Sequence, residues 1–450
     1  MTQHLLIQSD LLWCYYDYGR GSTQTHSVVE NEFVSRYSVS AICAGMCGRF
    51  VFSYLCVVVI FVDGSGSVTC TKTWSDPDIA DTNTKYVSST STINSNCGTT
   101  RSPCQALIAA LNRWNANSGK VILSGTSIPT GYQGTRTDYR GQSLSISQTR
   151  WITSTTSTTT LTPNQNTNID VFTITSTLYM NNFIISLSTT YEGSHTLFTL
   201  TSGTLFLSTL TITGPSTGVT LSSCVSLAPT CTFTAETVTF KYVSVSNSLI
   251  SRSSTGSSYT QMSLTECVFE GISKSGNGAV LNLASGDKVS ICGGSFTSCT
   301  VSSSSGGAIY AVMGSESLVR ITGVSFSSCS CDSGYGGAIY LEIESAPREL
   351  SLSQIEFYNK GNTAGNEKYG KTLFVCYGVE LEVGWFESFI TDDVEVNKEA
   401  YARVRGSSSE GDLTILALVR PVPIYYVGCS ADDSVECLHL IYTTTTSLAI

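Results

Sequence analysis

The side chains in this sequence whose types and spacing bear on chemistry are few: paired cysteines, two tyrosines in identical settings, and scattered carboxylates. Cys97 with Cys104 and Cys429 with Cys437 are spaced for local disulfides, while Cys299 and Cys329 hold the same place in two consecutive segments. Stacked one strand spacing apart, about 4.8 Å, Cys299 and Cys329 fall within the range a disulfide accepts. They serve equally as a ladder of buried thiols, and both readings stay open. Tyr310 and Tyr340 each follow a Gly-Gly-Ala-Ile run. If the isoleucines point inward, strand alternation turns both rings outward and stacks them. Such a ladder either binds sugar rings, on a glycan or another cell surface, or simply stabilises its sheet.

Acid–base chemistry on a polysaccharide needs clustered carboxylates with Arg, Lys or His placed to move protons. Asp392-Asp393 has no histidine motif after it, and the only histidines past residue 66, His195 and His439, read as surface residues. Glu266, Glu270, Asp287, Glu316, Asp332, Glu342 and Glu344 share no column of the repeat described below and read as solvated charge. Cys329-Ser330-Cys331 is not a zinc spacing, and Asp332 lacks the acidic neighbours of a calcium loop, so neither metal nor cofactor is expected. A net charge of -10 and a pI near 4.9 leave no basic stripe for a nucleic acid.

The elements that must position these residues recur. Two apolar residues two apart, then a larger one five further on, repeat ten times. The series opens with Val121/Leu123/Ile128 and Leu144/Ile146/Trp151. It continues through Phe233/Ala235/Phe240, Met262/Leu264/Phe269, Val289/Ile291/Phe296 and Val319/Ile321/Phe326, and ends at Val379/Leu381/Phe386. Alternation within each pair is the period of a strand with one buried face. No single coil buries that face alone, so neighbours must stack. The expected fold is all-β, a right-handed parallel β-helix of about ten coils over residues 120–390. A short helix from Ser102 to Trp114, with Leu107, Ala110, Leu111 and Trp114 buried, is expected to cap its N-terminal end within residues 67–119. Residues 391–450 form a C-terminal cap or the start of something longer.

At Gly306–Tyr310 and Gly336–Tyr340, with Phe296–Cys299 and Phe326–Cys329, the chain resembles right-handed β-helix proteins of the pectin-lyase-like fold. It is most similar to those with GGAI/FxxN repeats, the polymorphic outer-membrane adhesins and surface proteins of protists. The chain departs from that motif by carrying cysteine where the family has asparagine, and Lys360 in a third coil. The resemblance implies a surface fold with adhesive roles and specifies no ligand. The polygalacturonase-like catalytic set of the same fold is not present, and a carbohydrate-active enzyme is the alternative function.

Seventeen cysteines point to an oxidising compartment. Arg49, the apolar run Phe50–Val62 and the small residues Gly64–Ser67 have the order of a signal peptide, read as residues 46–66 with translation starting at Met46. Residues 1–45 then lie upstream of the true start. An uncleaved signal-anchor is the only membrane attachment expected. Any glycosylation is O-linked, because no Asn-x-Ser/Thr sequon occurs.

Overall fold

The computed structural model describes residues 69–379, apart from 78, 94, 113–116, 132–142, 164–168, 188–194, 215–219, 253–258, 356–360 and 366–369. Elsewhere it describes the backbone of short strands only. Two units result, residues 1–67 with 421–450, and residues 68–420. In the first, Tyr37–Ala44 pairs antiparallel with Leu55–Val62, which also takes Val427–Gly428 on its first two residues. The apolar run expected as a leader therefore contributes the strand Leu55–Val62.

The second unit is a parallel β-helix. Its first sheet stacks Thr84–Ser88, Ser118–Ser124, Thr149–Ser154, Thr177–Ser186, Thr204–Thr213, Thr232–Glu236, Gln261–Glu270, Lys288–Thr297, Leu318–Thr322 and Glu349–Ser353 in that order. The second sheet runs in parallel from Leu144–Ile146 to Ala400–Val404, with Leu413–Thr414 added antiparallel at that end, and a third, of two-residue strands, runs from Thr220–Leu221 to Thr363–Ala364. Complete turns number about seven rather than ten. The repeat count errs at the ends. Leu144 and Ile146 lie in the second sheet while Trp151 lies in the first, so that triplet straddles two sheets. The final triplet runs past the described residues.

The spacing of five has a conformational cause. Strict alternation would return a side chain to the core after an even number of residues, so an odd step needs one residue that breaks the pleat. That residue stands three before each anchor, at Asn182, Thr209, Thr237, Glu266, Gly293, Gly323 and Gln354, all with φ between 50° and 69°. Left-handed backbone costs a β-branched residue most, so Thr209 and Thr237 hold local strain that the stacked neighbours must overdetermine. The Gly-Gly doublets make another corner. Gly306 and Gly336 adopt φ of 70° and 65°, and a Cβ on Gly307 would lie 2.0 Å from the carbonyl oxygen of Gly337. The first glycine thus supplies backbone freedom and the second supplies close approach.

Inside, in-register columns stack like on like. Phe240, Phe269, Phe296 and Phe326 form a continuous ring stack with successive centroids 5.2, 4.6 and 4.8 Å apart, all fully buried. The expected cap helix is shorter than its sequence signals: only Leu107–Leu111 is helical, Ala106 occupies the N-cap, and Leu107 to Ala110 are buried. Ser102 instead closes a turn on Thr99, and Cys104 pairs as a bridge with Val87, so the helix starts only after that bridge. Trp114 lies outside the described residues. The stack also begins one strand earlier than expected, at Thr84–Ser88.

Replacing Phe296 with alanine should cost about 3–5 kcal/mol. The outward Thr297→Ala should stay within about 0.5 kcal/mol. Urea unfolding monitored by hydrogen exchange in that coil checks the contrast, and equal costs would mean that the phenylalanine column does not carry the core.

Candidate functional site

Tyr310 and Tyr340 pair in register on the outer side of the second sheet, rings parallel with centroids 5.0 Å apart. Tyr340 stacks in turn on Phe374 at 5.6 Å, and Tyr335 tilts onto the same ring at 4.4 Å. Phe374 is fully buried although it faces away from the main core, so this end of the ladder is covered. Rings stacked in register turn their π faces toward one another, leaving edges and hydroxyls outward. The stack ends at Tyr310, whose neighbour in the column is the exposed Asn282. The Tyr310 hydroxyl donates to Glu342 at 3.1 Å. Burial first, and the Glu342 charge second, push its pKa up to about 12.

A second outer ladder escaped the sequence reading. Trp151, Tyr179 and Phe206 stand in register on the first sheet, with Lys120 3.8 Å above the Trp151 ring and Tyr179 stacked on Phe206 at 4.8 Å. Trp151 is therefore not the inward anchor. Ile152 pairs with the inward Val121 and Met180, which turns Trp151 out and Arg150 in.

Across this face lies a strap formed by residues 70–74. Cys70 is disulfide-bonded to Cys292, 222 residues away. Lys72 pairs with Glu266 at 2.5 Å. Thr73 donates its backbone N–H and hydroxyl to one oxygen of Glu236 at 2.6 and 2.7 Å, and the Trp74 N–H reaches the other at 3.0 Å. Glu236 is only 3% exposed, and a buried carboxylate needs such charge-assisted bonds. Trp74 then meets Tyr179 edge-on. Nothing local in the sequence announces a partner so distant.

The other cysteines divide by reach. Cys97 and Cys104 form a disulfide, while Cys299 and Cys329 are free and buried. They stand in one column with Val243, Ile272 and Asn362. The Cys299 thiol donates to the Phe269 carbonyl, the Cys329 thiol to that of Phe296, and the Asn362 amide to that of Phe326 at 3.0 Å. One role is thus filled by two chemistries. Asn362, not Lys360, holds this place in its coil, because two extra residues precede it; Lys360 lies outside the described residues. So do Cys429, Cys437, His439, Asp392 and Asp393.

Two acidic or basic side chains depart from the surface reading. His195 is 7% exposed at the start of a second-sheet strand. Asp287 is 1% exposed, accepting from the Thr260 N–H and hydroxyl and the Ala284 N–H, with Arg252 at 3.6 Å, so it clamps turns rather than facing solvent.

Lys274 is the anomaly of the third sheet. Its column partners are Val245, Val301, Cys331 and Ala364, all buried. Among the described residues its ammonium nitrogen reaches only neutral acceptors, Ser248 Oγ at 3.1 Å and the Asn277 carbonyl at 2.5 Å. Desolvation lowers its pKa from 10.5 to about 8. The column was readable in the sequence, since Val245, Lys274, Val301 and Cys331 each stand five residues after a phenylalanine anchor.

Among the described residues no three His, Cys, Asp or Glu side chains converge as metal ligands, and no helix is long and apolar enough to cross a membrane. The two disulfides indicate folding in an oxidising, extracellular environment. No known protein family, curated protein or solved structure matches the chain.

Peptide mapping without reduction should recover Cys70–Cys292 and Cys97–Cys104, with Cys267, Cys299 and Cys329 alkylated only in denaturant. Cys70→Ser should make residues 70–76 sensitive to limited proteolysis at unchanged core stability; an equally protected strap would show that the Glu236 contacts suffice. Lys274→Met tests the partly buried amine. The unfolded chain keeps this proton up to about 10.5 and the folded chain only to about 8, so wild-type stability rises with pH between those values. The methionine variant should be the more stable below pH 8, with its advantage shrinking toward 10.5, as read from melting temperatures across pH.

Proposed function

We propose that this chain is a secreted or cell-surface β-helix that serves a structural and adhesive role without catalysis. The observation that carries the reading is the Tyr310–Tyr340–Phe374 ladder, which is buried at Phe374 and ends at the partly exposed Tyr310 beside the exposed Asn282. A partly exposed ring at the end of a stack, next to an exposed amide and with a carboxylate-bound hydroxyl, is an arrangement that suits a sugar: C–H groups against the ring edge, hydroxyls against Asn282. The two disulfides support export, as does the signal-like order of residues 46–66. The likeness of the Gly-Gly-Ala-Ile coils to pectin-lyase-like adhesins points the same way.

A glycan-array screen, run beside reducing-sugar and unsaturated-product assays on the same polysaccharides, tests this. Binding without turnover is expected, weakened at least tenfold in Tyr310→Ala and little changed in Phe206→Ala on the other ladder. Turnover would instead establish a carbohydrate-active enzyme whose carboxylates lie outside the clusters described above, and binding indifferent to Tyr310 would leave the ladder a purely structural device.

A further inference from the structure

A primary amine in the interior column of a solenoid is out of place unless its nitrogen is used. Lys274 takes a position that Val245 and Val301 fill in the adjoining coils. Two acceptors meet its nitrogen, Ser248 Oγ and the Asn277 carbonyl, and among the described residues no carboxylate does. The Ser248 hydroxyl spends its own proton on the Gly278 carbonyl at 2.7 Å, which leaves its lone pairs to receive an N–H from Lys274. A neutral amine has two N–H groups and one lone pair. Here both N–H groups are held and the lone pair is left over.

Access exists on one side. Beyond its chain neighbours Ser275 and Asn277, a Cβ built on Gly276 would meet only the Lys274 Cε, at 3.8 Å, so open space adjoins that carbon of the lysine stem. We propose that Lys274 is a nucleophilic amine that captures small aldehydes as an imine, with Ser248 and the Asn277 carbonyl fixing its lone pair toward that opening. The lone pair attacks the carbonyl carbon, one amine proton passes to the oxygen to give the carbinolamine, and the second follows as the C–O bond breaks and water departs. One amine and one aldehyde give one imine and one water, with no change in oxidation state. Desolvation brings the unprotonated form within reach at about pH 8, where an ordinary lysine is almost wholly charged.

The test uses the intact protein with glycolaldehyde and sodium cyanoborohydride at pH 8, the hydride fixing each imine as a stable secondary amine. Modified lysines are then quantified by peptide mapping. Lys274 should be labelled at least tenfold faster than Lys72 and Lys371, and a smaller ratio would overturn the proposal. Ser248→Ala should slow labelling at Lys274 at least threefold while leaving Lys72 and Lys371 unchanged; an unchanged rate at Lys274 would remove Ser248 from the role. Because the wild-type comparison stands by itself, a variant that fails to fold does not leave the question open.

Discussion

The fold depends on a single left-handed residue placed three positions before each core anchor. Without it, the inward pair and the anchor five residues later would face opposite sides of the first sheet. With it, one strand of ten residues such as Thr177–Ser186 or Gln261–Glu270 bends and still delivers all three apolar side chains to one interior. The bend must recur at the same height in every coil, because parallel neighbours hydrogen-bond residue to residue. Asn182, Thr209, Thr237 and Glu266 are chemically unlike and conformationally the same. Position in the column, rather than residue preference, sets their φ.

Once register is fixed in this way, each side chain is judged by its column. Phenylalanine on phenylalanine keeps the interior dry and the ring stack continuous. Tyrosine on tyrosine does the same outside, but at the expense of the ring faces, which turn toward one another and leave edges and hydroxyls outward. A lysine in a valine column is exceptional for the same reason. Its neighbours are placed by the repeat and supply no countercharge, so its nitrogen must find backbone and hydroxyl acceptors at the nearest corner.

How much of this was legible in the sequence follows the range of the interaction. The phenylalanine anchors, the Gly-Gly corners and the Cys97–Cys104 pair are local patterns and were readable from spacing alone. The coil containing Trp151 was misread because an isolated large apolar residue looks like an anchor; only its pairing with Lys120 and Tyr179 turns it outward. The cap helix was overextended because Ser102 and Pro103 look like a helix start, whereas Cys104 is drawn into pairing with Val87. Asn362 was missed because an insertion broke the count from Phe357. The strap was not readable at all, since Cys70 and Cys292 share no local pattern.

The same geometry explains why some cysteines are oxidised and others stay reduced in one oxidising compartment. Disulfide exchange needs a thiolate and an accessible partner. Cys267 lies inside the stack, where burial raises its pKa to about 12 and backbone carbonyls engage its thiol. Burial first, and then the thiol of Cys329, raise the Cys299 pKa well above its ordinary value. These groups act as small hydrogen-bond donors to the previous coil, the task Asn362 performs with an amide. Cys292 differs by facing outward at the strand corner, within reach of a segment that is not part of the repeat. Oxidation therefore falls where chain from outside the solenoid meets it, and the interior columns keep their thiols because the stacking that makes them useful also makes them unreactive.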